Sequence, residues 1–115
     1  MKIQSFKQLI VWQRAMELAQ EVYKISALIP DDERFGLISQ MRRSAVSIPS
    51  NIAEGHRRGT RKDFAQFLRI SDGSAAELET QLLLAAELFK IKDTEHAFAL
   101  LSEVQKMVGA MLRKL

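Results

Sequence analysis

Residues Glu54 to Asp63 read EGHRRGTRKD, four cations grouped around one glycine, and this is the densest chemical feature of the chain. A cluster of this kind recognises anions; it does not make or break bonds. Arg57 and Arg58 are explained by local structure, because cations in a last helical turn complement the helix dipole and Glu54 sits at the i,i+4 spacing from Arg58. Arg61 and Lys62 are not so explained. They fall in the first turn of the next helix, where positive charge is disfavoured by a few tenths of a kcal/mol, so a benefit elsewhere is implied. The free N–H groups of that terminus form an anion site, and a nucleic-acid phosphate there is within reach of Arg57, Arg58, Arg61 and Lys62. Arg42, Arg43 and Arg69 extend the track. No aromatic stacking platform accompanies these residues, so the pattern points to backbone contact without base readout. The competing reading is an ordinarily solvated charged face.

Covalent chemistry finds little support. His56 and His96 stand forty residues apart, and neither belongs to a Glu-x-x-His pair, so the carboxylate and histidine spacing of a di-iron bundle fails. Glu77 and Glu79 are two apart on a helix and point to different sides, which prevents an acid and base pair on one substrate. Ser44, Ser47, Ser71 and Ser74 read as helix-interface residues, since no histidine base has a natural place beside them. With no cysteine, thiolate nucleophiles, disulfides and thiolate metal sites are excluded. The expectation is a protein that is not an enzyme and carries no metal and no cofactor.

Helices must position these residues. Two prolines and five glycines interrupt 115 residues, and no segment alternates strictly between apolar and polar. The first helix is expected from about Phe6 to Leu28, with Trp12, Ala15, Met16, Ala19, Val22, Tyr23 and Ser26 as its core stripe. Pro30 and the acidic run Asp31 to Glu33 end it. A second runs from about Leu37 to Arg58, inward on Leu37, Met41, Ser44, Ala45, Ile48, Ile52 and Gly55, and stops at Gly59. Thr60 and Asp63 resemble a capping box opening a third that lasts to about Lys90. The fourth starts at Asp93 or Thr94 and carries Phe98, Leu101, Val104, Val108, Met111, Leu112 and Leu115 inward. Short connections make sequential helices neighbours, so the expected fold is a single all-α domain, an antiparallel up-down-up-down four-helix bundle.

Three features refine that expectation. Pro49 either breaks the second helix or bends it; the apolar phase continues through it, which favours one kinked helix. If the second and third helices are antiparallel about Gly59, the small residues Ser44, Ala45 and Ser47 face Ser74, Gly73 and Ser71 and permit close approach. Apolar side chains also occupy a second face: Val11, Leu18 and Ile25 on the first helix, Ile38, Val46 and Ala53 on the second, and Ile70, Leu84, Leu88 and Ile91 on or after the third. A second apolar face indicates burial against another copy of the chain, the alternative being a wide intramolecular core.

Net charge is +3, but Ser39 to Arg69 alone carries +5, leaving −2 for the rest, an asymmetry that favours an anionic partner for the middle of the chain. The longest stretch free of charge is Ser44 to Ala53, far short of the ~20 residues that span a bilayer. No membrane association is expected, and the cytoplasm is the expected location.

The segment FGLISQMRRSAVSIPSNIAEGHRRGTRKDFAQFLRISDGSAAELETQLLLA, with the earlier LIVWQRAMEL and YKISALIP, resembles the four-helix bundle family of the bacterial 23S rRNA intervening-sequence protein. The SIPSNIAEG and GSAAELETQL runs carry the resemblance most specifically. It implies an antiparallel bundle assembled into a homopentameric ring or barrel. It also implies kinship with the accessory proteins of diversity-generating retroelements, basic bundles that engage nucleic acid and a reverse transcriptase. A charge of +3 is mild beside those relatives. Within the matching runs, Pro49, Asn51, Glu54, Gly55, Gly73 and Ser74 read as structural, with Asn51 and Glu54 tying a helix end or a subunit contact. The partners expected are a second copy of the chain and RNA or DNA, with a protein partner as the alternative.

Overall fold

The computed structural model describes residues 5–115, and these form helices and turns. Ser5 caps a short turn: its hydroxyl accepts from the Lys7 N–H while the Gln8 side chain accepts from the Ser5 N–H. The cap holds only the 3-10 turn Phe6–Gln8, because Leu9 is extended. Helix α1 therefore spans Ile10–Ser26, beginning one turn later than its apolar pattern suggests. A second 3-10 turn, Asp31–Glu33, follows Pro30 and leads into α2, Leu37–Arg58. Gly59 takes φ +86°, a left-handed conformation that glycine adopts without strain, and the Thr60 hydroxyl accepts from the Asp63 N–H at 3.1 Å. Those two residues turn the chain into α3, Arg61–Phe89, after which α4 spans Glu95–Lys114.

Helix α1 packs on α2 and α4, and α3 packs on the same two; no contact joins the diagonal pairs. Hydrogen bonds across α2 and α3 link Ile48 to Ser71 and Ser47 to Ser74, and others across α3 and α4 link Glu79 to Gln105 and Arg61 to Lys114. In both pairs one number rises as the other falls, which is the signature of antiparallel neighbours. The protein is a four-helix bundle whose 44 Å long axis matches the length of α3, 29 residues at about 1.5 Å each.

The core settles the facing of α1 differently from the sequence pattern. Val11, Ala15, Leu18, Val22 and Ile25 are buried, whereas Met16 and Tyr23 are exposed and Trp12 and Ala19 are only half-buried. Both flanks of α1 are apolar, so three and four residue spacing identifies two stripes without choosing between them. The choice is made by α2 and α4, which close over the branched aliphatic stripe. Val11, Leu18 and Ile25, together with Ile38 on α2, thus belong to the chain's own core and are not available to a second copy. Ile91 is half-buried, with part of its side chain packed against the same core. Leu115, expected inward, is exposed, while Ala97 and Leu100 of α4 are buried beside its expected stripe.

Helix α2 continues unbroken through Pro49. Proline supplies no N–H to the Ala45 carbonyl of the preceding turn, and the side-chain donors nearby reach the two carbonyls just before the proline instead: Asn51 Nδ2 donates to Ser47 O at 2.8 Å and Ser71 Oγ to Ile48 O at 3.0 Å. Ser47 Oγ and Ser74 Oγ share a further hydrogen bond at 2.8 Å. The small-residue seam thus exists, shifted by one to three residues, with Ser47 rather than Ser44 bonded to Ser74 and Ile48 rather than Ser47 bonded to Ser71. Gly55 is a point of close approach to α3, where an added Cβ would lie 2.6 Å from Phe67 Cβ and 3.2 Å from Phe64 Cδ1. Gly73, expected within the seam, is exposed, and an added Cβ there meets nothing within 4 Å.

These two glycines should respond oppositely to the same substitution. Gly55→Ala forces α2 and α3 apart and is expected to cost about 1–3 kcal/mol. Gly73→Ala removes backbone freedom from an exposed helical position and should add about 0.5–1 kcal/mol. Thermal unfolding checks both, at roughly 4 °C or more per kcal/mol for a domain of this size.

Candidate functional site

The cations of the α2–α3 hairpin divide into engaged and free groups. Arg42 is engaged: its Nε donates to Ser26 Oγ at 2.8 Å and its guanidinium lies 4.6 Å from the Tyr23 ring centroid, fastening α2 to the end of α1. Ser26 completes the clasp by donating to Tyr23 O at 3.1 Å. Arg42 therefore serves in packing, with its terminal guanidinium nitrogens not engaged in a hydrogen bond among the described residues. Arg58 bonds Glu54 at 2.9 Å and lies over the Phe67 ring. The hydrogen bond and charge of Glu54 raise its pKa above the already high ordinary value, so it stays a cation at any accessible pH. Glu54 serves this one exposed pair, and Asn51 acts at mid-helix rather than at a helix end. Arg61 donates to the Lys114 carbonyl at 3.4 Å, leaning toward the end of α4.

Arg43, Arg57, Lys62 and Arg69 are exposed and make no ion pair or hydrogen bond among the described residues. Arg43 and Arg57 lie fourteen residues apart on the outer side of α2, about 21 Å along its axis. Lys62 and Arg69, seven residues apart, share the outer side of α3. Four unpaired cations thus line one hairpin, at its tip and along both its helices.

Between the two helices, above the serine seam, lies a cavity of about 530 Å³ whose lining is wholly polar. Arg43, Gln40 and Ser44 enter from α2, and Glu77 and Gln81 from α3, with the Ser47 and Ser74 hydroxyls at the base. Glu77 makes no pair there, whereas Glu79 turns the other way and accepts from Gln105 Nε2 at 3.0 Å. The Gln81 Oε1 is buried without a hydrogen-bond partner among the described residues. Sequence reading missed this cavity, because Gln40, Glu77 and Gln81 look like ordinary solvated positions until α2 and α3 are set in register.

The histidines are not brought together. His56 sits near the α2 terminus, edge-on to Phe64 with ring centroids 5.9 Å apart, and its Nδ1 is buried without a partner among the described residues. His96 is in the first turn of α4, at the other end of the bundle. Among the described residues no group of three or more histidine, aspartate or glutamate side chains is placed to hold a metal ion. No described helix is long and apolar enough to cross a membrane.

Apolar surface remains on two separate faces. On α3, Ile70, Leu84 and Leu88 are exposed, Leu88 by 63%. Between α1 and α2 a groove of about 360 Å³ is lined by Trp12, Met16, Ala19, Val46, Pro49 and Ala53, along with Ser50. An adjoining cavity shares Val46 with it and extends past Tyr23 to Phe35, which is 87% exposed. Of the residues read as a second apolar face, Val46, Ile70, Leu84 and Leu88 are on the surface.

The model of the 23S rRNA-intervening sequence protein family matches residues 7–112. The chain belongs to that family. A solved structure of a protein of unknown function from the S23 ribosomal protein family of Bacteroides thetaiotaomicron VPI-5482 superposes with a TM-score of 0.80 at 24% identity, covering 90% of this chain and 98% of that one. At that identity the likeness establishes the fold of this family member and nothing about its activity. No curated protein matches the chain.

The two arginines of the QMRRSA stretch should separate cleanly. Arg42→Gln gives up the Ser26 bond and the Tyr23 ring and is expected to destabilise the bundle by about 1 kcal/mol. Arg43→Gln should leave stability within about 0.5 kcal/mol of the parent, as expected for an exposed, unpaired position. Urea unfolding of the two variants provides the comparison.

Proposed function

We propose that this protein is a non-enzymatic, self-associating helical bundle that holds the backbone of RNA or DNA along its α2–α3 hairpin. The observation that carries the reading is the set of exposed, unpaired cations Arg43, Arg57, Lys62 and Arg69 on that hairpin. Arg58 and Arg61 stand beside them with donors to spare, since a guanidinium has five and each uses few in its present bonding. Cations on one edge contact phosphates and position a strand without reading its sequence. The N-terminus of α3, where Lys62 lies, adds backbone N–H groups to the same end.

Self-association rests on the two exposed apolar faces. The α3 ridge of Ile70, Leu84 and Leu88 and the α1–α2 groove around Met16 and Val46 are different surfaces of one chain. Contact between unlike surfaces is heterologous and closes into a ring when the rotation per copy allows it, as in a homopentamer. Joining copies this way would multiply the basic edges presented to one strand.

The competing reading is a scaffold for another polypeptide, favoured by the exposed Phe35 at the end of the apolar groove. In that case affinity-purified material would retain a protein partner after nuclease treatment.

Two measurements test the leading reading. Replacing Arg57, Arg58, Arg61 and Lys62 together with Gln should weaken binding to RNA at low salt and flatten the dependence of log K on log[salt] by about 0.7 for each phosphate that is no longer neutralised; unchanged binding would remove the assignment. Light scattering on the parent should give a mass several times 13.1 kDa. Leu84→Glu combined with Leu88→Glu should lower that mass toward the single chain without unfolding it, because both side chains are already in solvent within one copy.

A further inference from the structure

The polar cavity between α2 and α3 brings together two charged side chains of opposite sign that no described protein group pairs. Arg43 and Glu77 enter it from facing helices, yet neither pairs with the other or with anything else among the described residues. Gln81 adds a buried Oε1 with no donor. The Ser47 and Ser74 hydroxyls bond each other, and Ser47 Oγ also accepts from Asn51 Nδ2, so these hydroxyls are already partnered. What remains open to a ligand is the two-oxygen carboxylate of Glu77 on the α3 side and a multiple donor on the α2 side, the Arg43 guanidinium, since Gln81 Oε1 is itself sealed from the cavity.

A matching ligand presents adjacent N–H donors on one edge and adjacent acceptors on another. Among the nucleobases only guanine does so. Its N1–H and 2-amino group form a contiguous donor edge, and its O6 and N7 form the acceptor edge that arginine grips bidentately. Adenine and cytosine offer one exocyclic amine beside acceptors, and uracil offers one N–H between two carbonyls. The size fits as well, since about 530 Å³ lies within the range of small-molecule sites. Arg43 and Arg57 share the outer side of α2, so a strand held by the free cations runs past the mouth of the cavity.

We infer that the cavity lined by Arg43, Glu77 and Gln81 receives an unpaired guanine from a single strand, giving the basic edge a base preference that the cations alone would lack. This inference deepens the nucleic-acid reading above and rests on it for the source of the base. In its geometry the two oxygens of the Glu77 carboxylate accept from the donor edge and Arg43 donates to the acceptor edge. Recognition of splayed bases on their hydrogen-bonding edges is the usual route to sequence preference in single strands.

The test has two arms. In the first, guanosine monophosphate is titrated into isotope-labelled protein alongside inosine monophosphate, which lacks only the 2-amino group. The side-chain amides of Gln40 and Gln81 should shift with guanosine monophosphate, with inosine monophosphate weaker by about tenfold, a ratio that Glu77→Gln should reduce toward one. Glu77 is exposed and unpaired, and an unchanged amide spectrum of the variant without ligand confirms its fold. In the second arm, a short oligouridine carrying one central guanosine is compared with the same strand carrying inosine. Shifts elsewhere, no shifts, or equal shifts with both nucleotides overturn the cavity assignment. Oligomers that bind in a salt-dependent manner but do not distinguish guanosine from inosine overturn it while leaving the backbone reading intact. Nucleotide discrimination without oligomer binding sinks the backbone reading and leaves the cavity assigned.

Discussion

The approach of α2 to α3 is the constraint on which the rest of the molecule depends. A helix carrying a proline at its centre would be expected to break, yet α2 continues, and the hydrogen bonds that join it to α3 gather beside that proline. Ser71 reaches across to the Ile48 carbonyl, Asn51 folds back on Ser47, and Ser47 and Ser74 join the helices directly. Such bonds need backbones close together, which Gly55 permits by presenting no Cβ to Phe67. Proline, glycine and the serines are therefore one device. Ser71 and Ser74 reach α2 beside the proline because the glycine lets α3 come near enough to deliver them.

That device positions everything with chemical potential. It sets the register that brings Glu77 and Gln81 opposite Gln40 and Arg43, and it fixes the short turn around which Arg57, Arg58, Arg61 and Lys62 gather. It leaves α1 and α4 to complete the core from the other side, with Arg42 clasping the end of α1 and Arg14 bridging to Glu103 of α4 at 3.1 Å. The outward sides of α2 and α3 carry little of this structural duty. They are accordingly where unpaired charge and uncovered apolar side chains can coexist with a well-packed interior.

Much of the bundle was legible in the sequence. The termini of α2 and α3 follow from Gly59 and Thr60, and the inward stripe of α2 from Met41, Ala45, Ile48 and Ile52, because there the opposite side is polar. The facing of α1 was not legible. Trp12, Met16 and Tyr23 form as regular a stripe as Val11, Leu18 and Ile25, and only packing against two further helices decides between them. Gly73 looked like a close-approach residue by its neighbours, but one residue along a helix is about 100° of rotation, enough to carry it from the seam into solvent. Arg42 and Arg43 are adjacent in sequence and, for the same reason, have unrelated surroundings: one is clasped to α1 and the other stands free over the cavity. Side-chain type told where charge was plentiful; three-dimensional register decided which charges were already spent.

The tightness of the turn at Gly59 and Thr60 bears also on the order in which the molecule forms. Joining α2 to α3 closes a very short loop, so their pairing costs little chain entropy, whereas α1 and α4 are distant in sequence and meet only when the whole chain has gathered. On loop entropy alone, pairing α2 with α3 is favoured early and pairing α1 with α4 late, the outer helices then meeting a hairpin already in register. A chain caught midway would present its basic, polar half before its greasy half is complete.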